Sequence, residues 1–365
     1  TAVPKEEKAR RTAAKETKIL TRTPKTSKTK NSATKTQTTK TTKPAVSKTP
    51  ASRQTKNAAA KSEKTKNEKT KAEKALAIVT KRKTQKTTKQ SGKAADPLKV
   101  IPIGGLNEIG KNMTLLEYQN DILIIDCGIS FPDDDMYGID SVIPDFTYLV
   151  ENSSKVKGLI LTHGHEDHIG AIPYLLKQIS VPIYGTRLTL GLVGNKLKEH
   201  GLKAKMNTIN AGDRVKIGVF NIETIRTTHS IADAICLSID TPAGRVFHTG
   251  DFKVDYTPVD GEPIDFRRLA EIGREGVDLL LADSTNATRA GYTASEKTVG
   301  QTLETIFRQT ESRIIIATFS SNVHRVQKII DNAVLCKRKV AISGRSMVNV
   351  VNLAMELGYI SIPAG

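Results

Sequence analysis

The sequence predicts a mixed α/β fold behind a disordered, basic amino-terminal tail. Three observations carry that expectation. First, charge and aromatic residues are segregated. Positions 1–96 hold 28 Lys and Arg against 7 Asp and Glu, a charge of +21, with no Phe, Tyr or Trp, whereas 97–365 hold 28 basic and 31 acidic residues. Second, from Pro97 to about residue 285, short apolar runs bounded by Gly, Asn and Asp recur, as strands and turns do. Third, helical and extended patterns alternate beyond that point, which suggests a change of domain. The chain therefore divides into a tail (1–96), a first folded domain (97–292) and a second (293–365).

The tail is dominated by Lys, Thr and Ala, with repeated Thr-Lys pairs. Ordering a residue costs roughly 1–2 kcal/mol, and this composition has too little apolar surface to offset it. Only the ALAIV patch at 75–79 could form a transient helical turn. Such an arm suits phosphate neutralisation on nucleic acid, adding affinity and on-rate. Without aromatic groups it offers no base stacking. The plainer alternatives are a solvated linker or an organelle transit segment, though transit segments are usually rich in Arg and Ser rather than Lys and Thr.

No apolar run approaches 18 residues and no secretory signal opens the chain, so no membrane is expected. Cys127, Cys236 and Cys336 lie far apart without a C-x-x-C. That spacing argues against a disulfide framework or a thiolate zinc site and fits a reducing, cytoplasmic setting.

Elements follow in order from Pro97. Residues 100–103 read as a strand ending at Gly104-Gly105. Residues 113–118 and 121–126 read as two strands joined by a tight turn at Gln119-Asn120, and 157–161 as a buried strand. Ile169, Ile172, Leu175 and Leu176 recur at helical spacing. Strands are expected again at 181–184, 214–225, 235–240, 245–249 and 279–282. Thr293 and Glu296 have the spacing of a capping box before a helix whose apolar face is Val299, Leu303, Ile306 and Phe307. Strand 313–317, helix 323–335 and strand 340–342 complete the reading.

The most informative segment is His163-Gly164-His165-Glu166-Asp167-His168, between the strand at 157–161 and the following helix. His163 and His165 are two apart, so extended backbone points them the same way. Asp167 and His168 follow as the chain turns into the helix. Imidazoles with a carboxylate suit zinc, or manganese where oxygens dominate. Three further residues join them. Asp126 closes an apolar strand and needs buried partners. His229 follows the strand near 219–226, and Asp251 sits at a strand end. One carboxylate can bridge two divalent ions about 3.5–4 Å apart, a pair that acidifies water and steadies charge on a phosphoryl centre. His248 reads as a packed histidine or one backing a ligand. His200, before Gly201, reads as a helix C-terminal surface residue.

The set Asp126, His163-x-His165-x-Asp167-His168, His229 and Asp251 resembles the metallo-β-lactamase superfamily. The segments FPDDDMYGID (131–140), LTHGHEDHIG (161–170), HTGDFK (248–253) and ADSTNA (282–287) narrow the likeness to the ribonuclease J family over 97–365. The resemblance implies a four-layer αββα metallo-β-lactamase fold, its domain spanning 97–292 and interrupted by a β-CASP domain from 293. It implies two Zn2+ ions, with Mn2+ or Mg2+ as alternatives. His163, His165, His229 and Asp251 would hold one, and Asp167, His168 and the bridging Asp251 the other. Asp167 and Asp251 would then be catalytic, with Asp167 orienting the attacking water, and Asp283 would match the acidic first motif of β-CASP nucleases. Ser320, Ser321, Asn322 and His324 would contact RNA phosphates at a helix N-terminus. A structural Ca2+ would sit near the carbonyls of Tyr137 and Ile139.

The same resemblance implies a 5′-to-3′ exonuclease with endonuclease activity. Its partners would be RNA, preferably with a 5′-monophosphate, and further copies in a homodimer or homotetramer. Its roles would be messenger RNA decay and ribosomal RNA maturation in the cytoplasm. Two family features have no counterpart here: a later histidine completing the second zinc, and a His-Ala-Ser-Gly-His-like segment. No histidine follows His324. The chain therefore reads as a portion of a longer enzyme that holds one metal well and the second poorly. Two other functions remain open at this level: a small ester or thioester hydrolase of the same fold, and a non-catalytic RNA-binding protein.

Overall fold

The computed structural model describes residues 96–259 and 261–363. The tail reading, with its 75–79 patch, lies outside the described residues. Six strands form the first sheet in sequence order: β1 (Lys99–Gly104), β2 (Met113–Tyr118), β3 (Asp121–Ile125), β4 (Val156–Ile160), β5 (Ile183–Gly185) and β6 (Met206–Thr208). The first three pair antiparallel and β3 to β6 pair parallel. The β2–β3 turn falls at Gln119-Asn120 as expected, with Gln119 at a left-handed φ of 53°. The second sheet has the order β11-β10-β9-β8-β7. It contains β7 (Arg214–Ile217), β8 (Phe220–Arg226), β9 (Ile235–Thr241), β10 (Gly244–His248) and β11 (Leu279–Leu281).

Eight α-helices complete the described residues: α1 (Thr147–Glu151), α2 (Glu166–Ile169), α3 (Ile172–Leu176), α4 (Arg187–Glu199), α5 (Phe266–Glu275), α6 (Glu296–Gln309), α7 (Val323–Leu335) and α8 (Arg345–Glu356). Helix α4 ends at His200, followed by Gly201 at φ 66°, so His200 caps a helix as its position before glycine suggested.

Side-chain alternation turns these elements into layers, because successive residues of a strand face opposite sides. Ile122 and Ile124 of β3, with Leu159 of β4, join a core shared with Leu175, Leu188 and Val193 of the covering helices. Their neighbours Leu123, Ile125 and Ile160 point the other way, into a second core with Phe220, Ile222, Leu237 and Val246 of the second sheet. Ile225, Cys236 and Phe247, on that sheet's outer face, meet Ile272 of α5 in a third. Three cores between four layers make the αββα arrangement. Helix α5 is also held by charge. Arg268 donates to both oxygens of Glu223 on β8, at 2.5 and 3.0 Å, and to Glu271 and Glu275.

Three local expectations need correction. The runs at 313–317 and 340–342 are not strands. A strand needs a ladder partner, and no pairing reaches either run among the described residues, so Ile315 stays 88% exposed. The Thr293–Glu296 capping box does not form. Ser295 caps α6 by accepting the Lys297 N–H, because the Glu296 carboxylate is taken by Arg325 at 2.9 and 3.1 Å.

Candidate metal centre

The site lies at the carboxyl ends of β3, β4, β8 and β10, where the chain leaves each strand. Asp126 follows β3 at a left-handed φ of 59° and is 2% exposed. The turn behind it admits only glycine at position 128, where a Cβ would fall 1.5 Å from the Asp167 carbonyl oxygen. Three groups donate to Asp126: the Thr162 N–H and hydroxyl and the His168 Nδ1–H, each at 2.8 Å. With its hydroxyl proton spent on Asp126, Thr162 Oγ1 can only accept from His163 Nδ1, at 3.0 Å. Asp126 thus orients both histidines: it is hydrogen-bonded to His168 and reaches His163 through Thr162, and in each ring Nε2 faces the site.

His165 Nδ1 lies 3.1 Å from both His163 Nε2 and His229 Nε2. Among the described residues, the ligand atoms of His163, His165 and His229 lie within 4.8 Å of one another, as do those of His163, His168 and Asp251. Ligand nitrogens at about 2.0–2.1 Å from a tetrahedral ion would be about 3.3 Å apart, so the donor set fits a divalent ion. Asp251 spans the two groups, with Oδ1 3.3 Å from His168 Nε2 and Oδ2 3.7 Å from His229 Nε2. Asp167 Oδ2 lies 3.7 Å from His168 Nε2.

The electrostatics follow from packing. Burial holds His163 and His165 below the ordinary imidazole range, His165 at about 3, and neighbouring histidines push the same way. Burial also disfavours charge on His168, but Asp126 and Asp251 outweigh it and hold that ring well above the range. Burial raises Asp167, while the His168 contact keeps Asp251 low against its own burial. Two carboxylates of one site are thereby given opposite proton affinities.

The remaining expected residues fall into four places. His248 is a packing residue whose Nδ1 accepts the Gly250 N–H at 3.0 Å. Asp283, just past β11, accepts from Thr285 N–H and is tied to Thr249 through its own N–H. His324 lines a cleft with His229, Lys253 and Glu296. Beside it, the Asn322 side chain caps α7 by accepting the Arg325 N–H, and Ser320 Oγ meets Ser346 Oγ at 2.9 Å. Tyr137 and Ile139 sit on an exposed loop, 91% and 50% accessible. Sequence reasoning missed Thr162, which no spacing rule singles out although it directly precedes the histidine segment. It also missed Asn112, fifty residues upstream and without a local signal.

This chain belongs to the metallo-beta-lactamase superfamily, which it matches over residues 106–314. Within that class the likeness is to ribonuclease J, whose beta-CASP domain it matches over 311–365. It is 52% identical over 270 residues to ribonuclease J of Synechocystis sp., covering 73% of this chain and 42% of the relative. Ribonuclease J of Helicobacter pylori is 48% identical over 269 residues, covering 73% and 39%. That of Thermus thermophilus is 44% identical over 280 residues, covering 74% and 49%. The chain thus spans less than half the length of these relatives. A crystal structure of a protein of unknown function from Enterococcus faecalis V583 shares the fold, with TM-score 0.55, 18% identity, and coverage of 73% of this chain and 70% of that one. No helix among the described residues is long and apolar enough to cross a membrane.

Proposed function

We propose that this chain is the metal-binding part of a ribonuclease that hydrolyses RNA phosphodiesters. The observation that carries the reading is the gathering of His163, His165, His229, His168 and Asp251 into two adjoining ligand groups, in a chain 52% identical over 270 residues to a ribonuclease J. His163, His165, His229 and Asp251 would hold one divalent ion, and Asp167, His168 and Asp251 the other, zinc being the ion that the imidazole set suits best. When bound, such ions supply an acidified water and charge neutralisation at phosphorus.

The chain's own residues do the rest. Asp126 fixes the rings of His163 and His168. Asp167, raised by burial, is suited to accept a proton, and Asp251, held low, is suited to remain an anion. His324, Ser320, Ser321 and the helix end capped by Asn322 would seat the RNA backbone across the cleft from His229. Asp283 would act beside them.

The finer reading follows from the family resemblance of the sequence. It comprises 5′-to-3′ exonuclease action on 5′-monophosphorylated RNA with some internal cutting, roles in messenger RNA decay and ribosomal RNA maturation, a cytoplasmic setting, self-association, and a Ca2+ at the carbonyls of Tyr137 and Ile139. The division at 292/293 belongs to the same reading, and RNA contact by the basic tail follows from its charge alone.

The test is incubation of the full protein with 5′-monophosphorylated RNA, with and without chelator. Release of mononucleotides that stops on metal removal is expected. Asp167→Ala and His168→Ala should abolish cleavage while RNA binding persists. Turnover of a small thioester with RNA left intact would overturn the proposal.

A further inference from the structure

Asn112 lies on the segment between β1 and β2, within reach of Asp167 and His168. Its backbone N–H donates to the Asp167 carbonyl at 3.1 Å, and its own carbonyl accepts from Gly128 N–H at 3.1 Å. Its side-chain Nδ2 donates to the same Asp167 carbonyl at 3.1 Å and lies 3.4 Å from Asp167 Oδ2. It also lies 3.1 Å from His168 Nε2.

His168 gives its Nδ1–H to Asp126, so Nε2 is the atom that the ring turns toward both Asn112 and Asp251. The amide oxygen is turned the other way, against Gly105. A Cβ at Gly105 would fall 2.6 Å from Asn112 Oδ1, so the side chain has room there only because residue 105 is glycine. The backbone of residue 112 would stay in place without the side chain, since its two main-chain bonds need no amide. The side chain is therefore free to serve the site rather than the fold.

We propose that Asn112 is a positioning residue for the second metal, rotating the Asp167 carboxylate and the His168 ring so that both face Asp251. This inference rests on the metal-centre reading above. Among the described residues, Asn112 makes no hydrogen bond to His163, His165 or His229, so the two metal positions should respond differently to its loss. Partners that orient a ligand, once removed, typically cost about 10- to 100-fold in metal affinity.

The experiment titrates the metal-free 365-residue chain with Zn2+ against a chromophoric chelator and records imidazole 15N signals before loading. The parent chain should show a tight equivalent and a weaker one. In Asn112→Ala the weaker equivalent should lose about 10- to 100-fold in affinity and the tight one less than about threefold. The metal-free signals of His168 should move, and those of His229 should stay. Asn112→Ser, which keeps a polar side chain too short to reach His168, should behave alike and guards against a folding defect in the alanine variant. Equal loss in both equivalents, or loss in neither, would overturn the proposal. A parent chain that takes up no Zn2+ would overturn the metal centre itself, and this inference with it.

Discussion

Strands β3 and β4 and the run at 313–317 look alike in sequence and end differently in the molecule. All are short, rich in Ile and Leu and bounded by polar residues. In β3 and β4, Ile124, Leu159 and Ile160 are fully buried, because each strand has a neighbour on both edges and a core on both faces. At 313–317 Ile315 is 88% exposed, and nearby Phe319 is 80% exposed. The helices around that run are not loose. Val323, Val326 and Ile330 of α7 and Val350 and Val351 of α8 belong to the first core. The difference therefore lies in pairing. A β-prone run records a willingness to pair, and burial requires the partner.

Substitutions separate the paired and buried runs from the exposed one. The largest effect is expected at Asp126, where alanine would strand three buried donors and remove a residue adapted to left-handed backbone. Breaking such a site costs about 3–5 kcal/mol. Urea unfolding should show it, and a loss under 1 kcal/mol would contradict the role given to this carboxylate. Phe220→Ala, in the core between the sheets, should cost about as much, roughly 3–5 kcal/mol, and its urea midpoint should fall accordingly.

Arg268 tests the charged attachment of α5. Its hydrogen bonds hold Glu223 below the ordinary carboxylate range. A lowered folded value stabilises the protein above the unfolded value of about 4.3 and ceases to do so as pH falls through the folded one. The stability gap between the parent and Arg268→Met should therefore be full near neutrality and narrow in acid. A gap that stays constant down to about pH 2 would mean that the pair contributes nothing through titration. The smallest effect is expected for Ile315→Thr, within about 0.5 kcal/mol, as befits an exposed side chain. A loss of several kcal/mol would reveal a partner for that run.

The sequence made the layered core legible wherever an apolar run had a neighbour close in the chain, as with β2, β3 and β4. Where the partner is distant or lacking, as at 313–317 and 340–342, local pattern could not tell pairing from exposure. The site divides in the same way. His163, His165, Asp167 and His168 declare themselves by spacing within six residues. His229 and Asp251 are legible as polar residues at strand ends. Thr162 and Asn112 are not, because their parts depend on hydrogen-bond direction: one passes the hold of Asp126 on to His163, the other reaches His168 across the turn at Gly128. The Thr293–Glu296 box failed for a related reason, since Glu296 found a better partner in Arg325.

The most direct test of the central claim is anomalous diffraction at the zinc edge from crystals of the Zn2+-loaded chain. A peak is expected within bonding distance of His163 Nε2, His165 Nδ1 and His229 Nε2. A weaker peak should lie beside His168 and Asp251. Zinc bound only elsewhere on the chain, with these nitrogens hydrogen-bonded to one another or to water, would contradict it.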